Sequence, residues 1–460
     1  MVEGWINLQI ETGRRMITKK SQFMLDKDYA RQPVPYGKRR GWLPLALIWL
    51  AMGIDLSAVV LGAALINGMT LNQAILAITA GSVILGVIGA FCSYVGSKTG
   101  LSTAMINRFT FGEKGAYLVI LVMSVAVFGW FGVTAGFFGQ SAHAVLQSVF
   151  GIEIPPRWLA LIGGLLMTAT AAIGYKAIEK LSMISVPLMV GFLLSMLGVL
   201  ITRESLAPIF SMPPKETMGL GTAISLVVGA YIIGCAQSPD VARWAKTSRD
   251  AALSGFFGFL VGNSLMMFVA AFLSRLTGTE DVIQILLSFG WGAIAVTLLV
   301  LAQWTTNDNN MYCVGLNLSV LFKNVPKITL TIIAGLAGTM LAFLGIYGKF
   351  VDFLLLLSPF AAPVAGIYLC EYFLVNRSKF QFAFLAEREI VAVRWQSLLV
   401  WGLATMIAFA TTPMTDGGLG WFTLTHVSTL DGLLSAIVLQ YVIGKAGMSQ
   451  GMTKKPEVSG

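Results

Sequence analysis

Long apolar runs separated by short, mostly basic breaks recur along the chain. They fall at 43–66, 71–95, 116–150, 158–173, 181–201, 220–233, 251–273, 291–321, 328–344, 350–374, 395–410 and 433–443. Most approach the roughly 20 residues that a helix needs to cross the hydrocarbon core of a bilayer. The third and eighth are well over that length, and the last two are marginal. A backbone in lipid must satisfy its own hydrogen bonds, so the pattern predicts an all-α membrane protein with twelve transmembrane helices.

Charge placement tests that count. Arg157, Arg203, Lys215, Arg275 and Lys349 fall in one set of alternate connections; the remaining 26 of the 31 Lys and Arg residues fall in the other set and at the termini. Cytoplasmic loops collect Lys and Arg, so both termini are expected in the cytoplasm of a multi-pass protein of the cell (inner or plasma) membrane. Residues 1–40 are polar and basic and hold no cleavable signal pattern. They read as a solvated cytoplasmic segment touching anionic headgroups, and 446–460 as a short cytoplasmic tail.

Composition agrees. Of 460 residues, 56% are hydrophobic and 12% charged, about half the charged share of a soluble domain. That excludes an ordinary soluble enzyme, a disordered chain and a disulfide-stapled module. Loop bias accounts for the net charge of +9, so no nucleic-acid partner is expected. Cys92, Cys235, Cys313 and Cys370 lie in apolar segments without a C-x-x-C pair, and His143 and His426 are the only histidines. No cofactor or His-based metal centre is expected from them. Neither the residue clusters of a membrane enzyme nor the continuous polar stripe of a channel appears, and no signalling domain marks a sensor.

Polar islands interrupt four spans. The first contains Met52-Gly53-Ile54-Asp55, and the sixth contains Gly229-Ala230-Tyr231 and Gly234 at comparable depth. These spans open two successive five-helix sets, 43–201 and 220–374. Glycine-interrupted segments at matching positions of two halves point to an inverted-repeat transporter with a midplane site. For any single glycine, close helix packing is the competing reading. The third span sets Trp130 between Gly129 and Gly132, deeper than an interfacial tryptophan sits. The eighth holds Gln303-Trp304-Thr305-Thr306-Asn307-Asp308-Asn309-Asn310, a run that needs a cavity or an ion to face. Hydroxyls of Thr305 and Thr306, with carbonyls freed in the first span, suit a hard monovalent cation such as sodium.

At these residues the chain resembles the nucleobase–cation symporter-1 (purine/cytosine permease) family, and it is most similar to the bacterial cytosine permeases. The matching stretches include Gly96-Ser97-Lys98-Thr99-Gly100-Leu101-Ser102-Thr103, Arg108-Phe109-Thr110-Phe111-Gly112-Glu113-Lys114-Gly115, Gly129-Trp130-Phe131-Gly132-Val133 and Trp304-Thr305-Thr306-Asn307-Asp308-Asn309. Asp240 to Arg243, Glu371-Tyr372 and Asn376-Arg377 match too. The resemblance implies a leucine-transporter-type fold, with a ten-helix core at 41–376 in two inverted repeats and two additional helices at 377–445. It also implies symport of a flat nitrogenous solute with sodium as coupling ion. Carried over by position, sodium would touch the carbonyls of Ala51, Ile54 and Ala302 and the hydroxyls of Thr305 and Thr306. The solute ring would lie between Trp130 and Tyr231, beside Ala230. Asn307 would supply an amide, with Asn310 second to it.

The chain departs from the cytosine permeases where they read the edge of the base. Val127 stands for a glutamine, Ala302 for an asparagine, and Ala230 and Ile233 for serines. An edge left unpaired costs affinity and discrimination. In exchange there is Asp55, where those permeases carry an apolar aromatic. A carboxylate beside aromatic faces suits a cation, so the expected solute is nucleobase-like or a small organic cation paired with Asp55. Proton-coupled cytosine or purine uptake and import of a vitamin-precursor pyrimidine are the alternatives. Solute, sodium and lipid are the expected partners of a monomer or weak oligomer.

Overall fold

The computed structural model describes residues 28–203, 207–279, 292–386 and 390–451. Residues 1–27, Trp291 at the start of the expected eighth span, and 452–460 of the expected tail lie outside the described residues. The first span is two helices, α1 (Trp42–Gly53) and α2 (Leu56–Gly68), bent by 56°. There follow α3 (Leu71–Thr99), α4 (Thr103–Phe111), α5 (Gly115–Phe150), α6 (Pro156–Ala171), α7 (Tyr175–Arg203) and α8 (Ala207–Ser211). The second set is α9 (Leu220–Ala236), the one-turn α10 (Pro239–Ala242), α11 (Ser248–Thr277), α12 (Gly292–Leu321), α13 (Lys327–Phe343) and α14 (Phe350–Cys370). Short α15 (Phe382–Ala386) leads to α16 (Trp395–Thr411) and α17 (Ser428–Gly451). Among the described residues there is no strand.

Every expected span falls on a helix. Among the described residues, six segments and the bent α1–α2 pair are long and apolar enough to cross a bilayer, while α13 and α16 are shorter apolar helices. Lipid is the solvent of the outer faces. On α3, Leu76, Val83, Val87 and Phe91 are exposed along one side, while Ala74, Ala77, Ile78 and Leu85 are buried on the other.

Packing repeats itself between the halves. α11 lies against α1 as α9 lies against α3; α7 lies against α1 as α14 lies against α9; α6 packs on α5 as α13 packs on α12. Each contact becomes its counterpart when the two five-span halves are exchanged. α3–α11, α5–α12 and α6–α13 map onto themselves, which is the pattern of two interleaved five-helix repeats. α16 and α17 lie outside that pattern, packed on each other and on α14.

The first span breaks where Gly53, Ile54 and Asp55 allow it. Ile54 and Asp55 leave helical geometry, and the Asp55 carboxylate restarts the chain as the N-cap of α2. Its Oδ1 accepts from Ala58 N at 3.0 Å and from Ser57 Oγ at 2.5 Å. A cap of this kind satisfies amides that the new helix leaves open. Gly53 is required by close approach, since a Cβ there would lie 2.2 Å from the Gly262 carbonyl carbon of α11.

The sixth span differs from expectation. α9 keeps its helical hydrogen bonds through Gly229 and Gly234, and the interruption comes at Gln237–Ser238, ahead of α10. Glycine permits a bend, but a helix in lipid opens only where its freed backbone groups find partners.

Residues 28–40 are not a free tail. Asp28, Ala30 and Val34 are buried, and Arg40 pairs along its backbone with Trp244 and Lys246. Arg243, fully buried, donates to the carbonyls of Asp28 and Tyr29 and to Tyr312 Oη. Asp28 also pairs with Lys327 and accepts from Tyr175 N at 3.1 Å. Burial pushes the Asp28 carboxyl up, but Lys327, the Tyr175 amide and Arg243 outweigh it and hold it below its ordinary value.

Candidate substrate and cation site

The break in the first span and the polar run of α12 meet at mid-bundle. Thr306 Oγ1 lies 3.4 Å from the Ala51 carbonyl oxygen and 3.5 Å from that of Met52. Thr305 Oγ1 lies 3.5 Å from the same Ala51 oxygen and 2.9 Å from the Ala302 carbonyl oxygen. Ala51 and Met52 end a helix, so their carbonyls lack the usual intrahelical partner. Ala51, Ala302, Thr305 and Thr306 thus come together as a cluster of hard oxygens. Met52 belongs with them although the sequence pattern did not single it out. Ile54 sits at the break itself and shares with Ala302 the lining of an apolar cavity between α2, α7, α11 and α12. Among the described residues no three His, Cys, Asp or Glu side chains gather as a metal site.

A second cavity, partly open and with about 470 Å³ of empty space, shares Met52 with the oxygen cluster. Trp49 and Met52 of α1, Val127 and Trp130 of α5, Ala230, Tyr231, Ile233 and Gly234 of α9, Gln237, and Asn309, Asn310 and Cys313 of α12 line it. Trp130 is held by neighbours from α14: Phe353 stacks on it with centroids 5.9 Å apart, and Phe350 tilts against it at 5.5 Å. Tyr231 rests edge-on against Phe259 at 6.0 Å, and its buried hydroxyl has no hydrogen-bond partner in the protein. Four expected residues, Trp130, Tyr231, Ala230 and Asn310, therefore share one cavity.

Two others are placed differently. Asn307 is not among the lining residues, because both ends of its amide are engaged. Its Oδ1 accepts from Thr134 Oγ1 and, at 3.3 Å, from Asn310 Nδ2, and its Nδ2 donates to the Phe131 carbonyl at 3.3 Å and faces Met167 Sδ. It fastens α12 to α5 and α6. Asp55 is not among the lining residues either, and one of its oxygens is committed to the α2 cap. Its Oδ2 is buried without a hydrogen-bond partner in the protein. Asp308 also points away from the cavity, accepting from Thr170 Oγ1 at 2.6 Å.

Gln237 and Asn309 were missed as site residues. A stride of three and four would have found both. Ala230, Ile233, Gly234 and Gln237 share one face of α9 and its end, and Thr306, Asn309, Asn310 and Cys313 share one face of α12.

A family model described as "Permease for cytosine/purines, uracil, thiamine, allantoin" matches residues 33–444. The chain belongs to this permease family. It is therefore a membrane-embedded secondary transporter of the cell membrane and not an enzyme. It is 31% identical over 377 residues to the cytosine permease of Escherichia coli (strain K12), covering 81% of this chain and 87% of the relative. It is 24% identical over 408 residues to the hydantoin permease of Microbacterium maritypicum, covering 82% and 83%. Among solved structures, Mhp1, a nucleobase-cation-symport-1 family transporter in a closed conformation with bromovinylhydantoin bound, superposes with a TM-score of 0.77. That likeness covers 92% of this chain and 96% of the other at 20% identity, and it shows the shared fold.

Proposed function

We propose that this permease couples sodium entry to uptake of a flat, nucleobase-like heterocycle. The ring stacks between Trp130 and Tyr231, and the ion is held by Ala51, Ile54, Ala302, Thr305 and Thr306. One observation carries the reading: an aromatic-walled cavity between the two repeats abuts an oxygen cluster shared by the α1 break and α12. Met52 belongs to both, since its carbonyl faces Thr306 and it lines the cavity. An ion bridging α1 to α12 fixes one wall of the solute site. Each ligand then strengthens the other by the same factor, and the repeats rock about the filled site. The cytosine and hydantoin named for the two relatives belong to the proposed solute class. Both termini are assigned to the cytoplasm from the loop charges.

A second reading has its own support. The unpartnered Asp55 Oδ2 favours a small organic cation, since a buried carboxylate oxygen calls for a positive or donating partner. Uptake of labelled nucleobases and small organic cations into proteoliposomes, under sodium and proton gradients separately, tests both. Sodium-driven uptake of a neutral base is the expected result. Uptake driven by a proton gradient alone overturns the sodium assignment, and uptake of cations only overturns the neutral one.

A further inference from the structure

We infer that Gln237, with Asn309 beside it, reads the edge of the transported ring and selects planar heterocycles that carry a neutral amide or amidine edge. The inference rests on the stacking site proposed above and names what that site recognises.

Gln237 ends α9 at the start of the break. It is only 2% exposed, yet it lines the aromatic-walled cavity, and neither end of its carboxamide has a partner in the protein. Asn309 lines the same cavity from α12. Its Nδ2 is turned to Met52 Sδ, and its Oδ1 is buried without a partner. Burying such groups unpaired carries the full desolvation penalty, so a carboxamide placed here awaits complementary groups. A primary carboxamide offers an N–H donor and a C=O acceptor side by side. Two kinds of ring edge answer it: a lactam, with N–H beside C=O, and an amidine, with a bare ring nitrogen beside N–H. Glutamine and asparagine pair with the edge of adenine in the same bidentate manner.

Charge on the solute is disfavoured by the lining itself, which holds no Asp, Glu, Lys, Arg or His. Val127, on the α5 wall, has no hydrogen-bonding group with which to read an edge. Edge recognition therefore falls to the carboxamides of α9 and α12, with the unpartnered Trp49 Nε1 of α1 as a further donor on the same cavity. Gln237 lies seven residues from Ala230, roughly 10 Å along the helix, and both line the same cavity.

Equilibrium binding to the full-length protein in detergent, at saturating sodium, tests this. The probes are hypoxanthine and uracil, each beside an analogue methylated at every ring N–H (1,9-dimethylhypoxanthine and 1,3-dimethyluracil), which keeps the stacking face and leaves no donor on any edge. The parent base is expected to bind about ten-fold or more tighter than its blocked analogue. Gln237→Leu should weaken the parent by a similar factor, leave the blocked analogue unchanged and so erase the preference. Gln237→Met, of similar length but with neither an N–H donor nor a C=O acceptor, should also lose the preference and gives the same comparison if Gln237→Leu does not fold. Binding that needs Trp130 but keeps affinity and preference in both variants overturns the inference and leaves the stacking reading standing. No binding by any probe, or binding indifferent to Trp130→Ala, overturns the stacking reading and this inference with it.

Discussion

Thr306→Val removes one oxygen from the proposed cation cage and keeps the side-chain volume. Thr306 Oγ1 lies 3.4 Å and 3.5 Å from the Ala51 and Met52 carbonyl oxygens, and Thr305 Oγ1 lies 3.5 Å from Ala51. Two oxygens held at about 2.4 Å from a cation of calcium's size, at right angles about it, are about 3.4 Å apart. Sodium has nearly that radius, so it fits between these groups with little movement of α1 against α12. A neutral group bonded to a charge contributes about 1.5–3 kcal/mol. Losing one hydroxyl should therefore weaken sodium about ten- to hundred-fold. Solute affinity should fall in step at limiting sodium and recover at high sodium, because the coupling is reciprocal. Tryptophan fluorescence titrated with sodium, with and without solute, reads both effects, and thermal unfolding without sodium checks the fold. A folded Thr306→Val protein with wild-type half-saturation for sodium would refute the cage.

Asp55→Asn should keep the α2 cap, since asparagine caps as well as aspartate, whereas Asp55→Ala should lose about 1 kcal/mol of stability; thermal unfolding compares them. At saturating sodium, Asp55→Asn should retain a neutral solute, and loss of binding in a folded Asp55→Asn protein would favour the organic cation instead. Trp130→Ala or Tyr231→Ala should weaken heterocycle binding about ten-fold or more, from stacking of roughly 1–3 kcal/mol per ring; calorimetry that finds both folded variants unchanged places the solute elsewhere. The Asp28 clasp should be pH-dependent. Because the folded carboxyl is held below its ordinary value, its contribution is present above about pH 4 and is lost as pH falls through that lowered value. Hydrogen exchange of residues 28–40 should rise only below that point, and Lys327→Met should move the rise to higher pH.

The architecture was legible because lipid forces a simple code. Each expected run lies on a helix, and the Gly53-Ile54-Asp55 interruption marked the broken span, since a carboxylate after a glycine can end one helix and cap another. The break after α9 was not legible. The apolar run ends at Ile233, but the helix continues to Ala236, so Gln237 read as loop although the fold turns it inward. Composition also could not separate the carboxamides of α12. Asn307 and Asn310 are one turn apart in one polar run, and only the neighbours Thr134, Phe131 and Met167 distinguish the engaged amide of Asn307 from that of Asn310, which lines the cavity. Residue type says which chemistry is present, whereas helical phase against a partner decides where it points.

That distinction bears on the solute. By sequence, the pocket had lost hydrogen-bonding groups at Val127, Ala230 and Ile233 and gained a carboxylate at Asp55, which reads as a change from neutral base to cation. In the fold, one oxygen of that carboxylate is already spent on the cap of α2, at a point where the first span must restart whatever the solute is. The cavity, meanwhile, holds unpaired carboxamide atoms of Gln237 and Asn309, neither at a position where this chain has lost a group that the cytosine permeases carry. A neutral edge reader moved by about two turns along α9 accounts for the lost groups, the uncharged lining and the buried Gln237 together. A cation accounts only for Asp55 Oδ2.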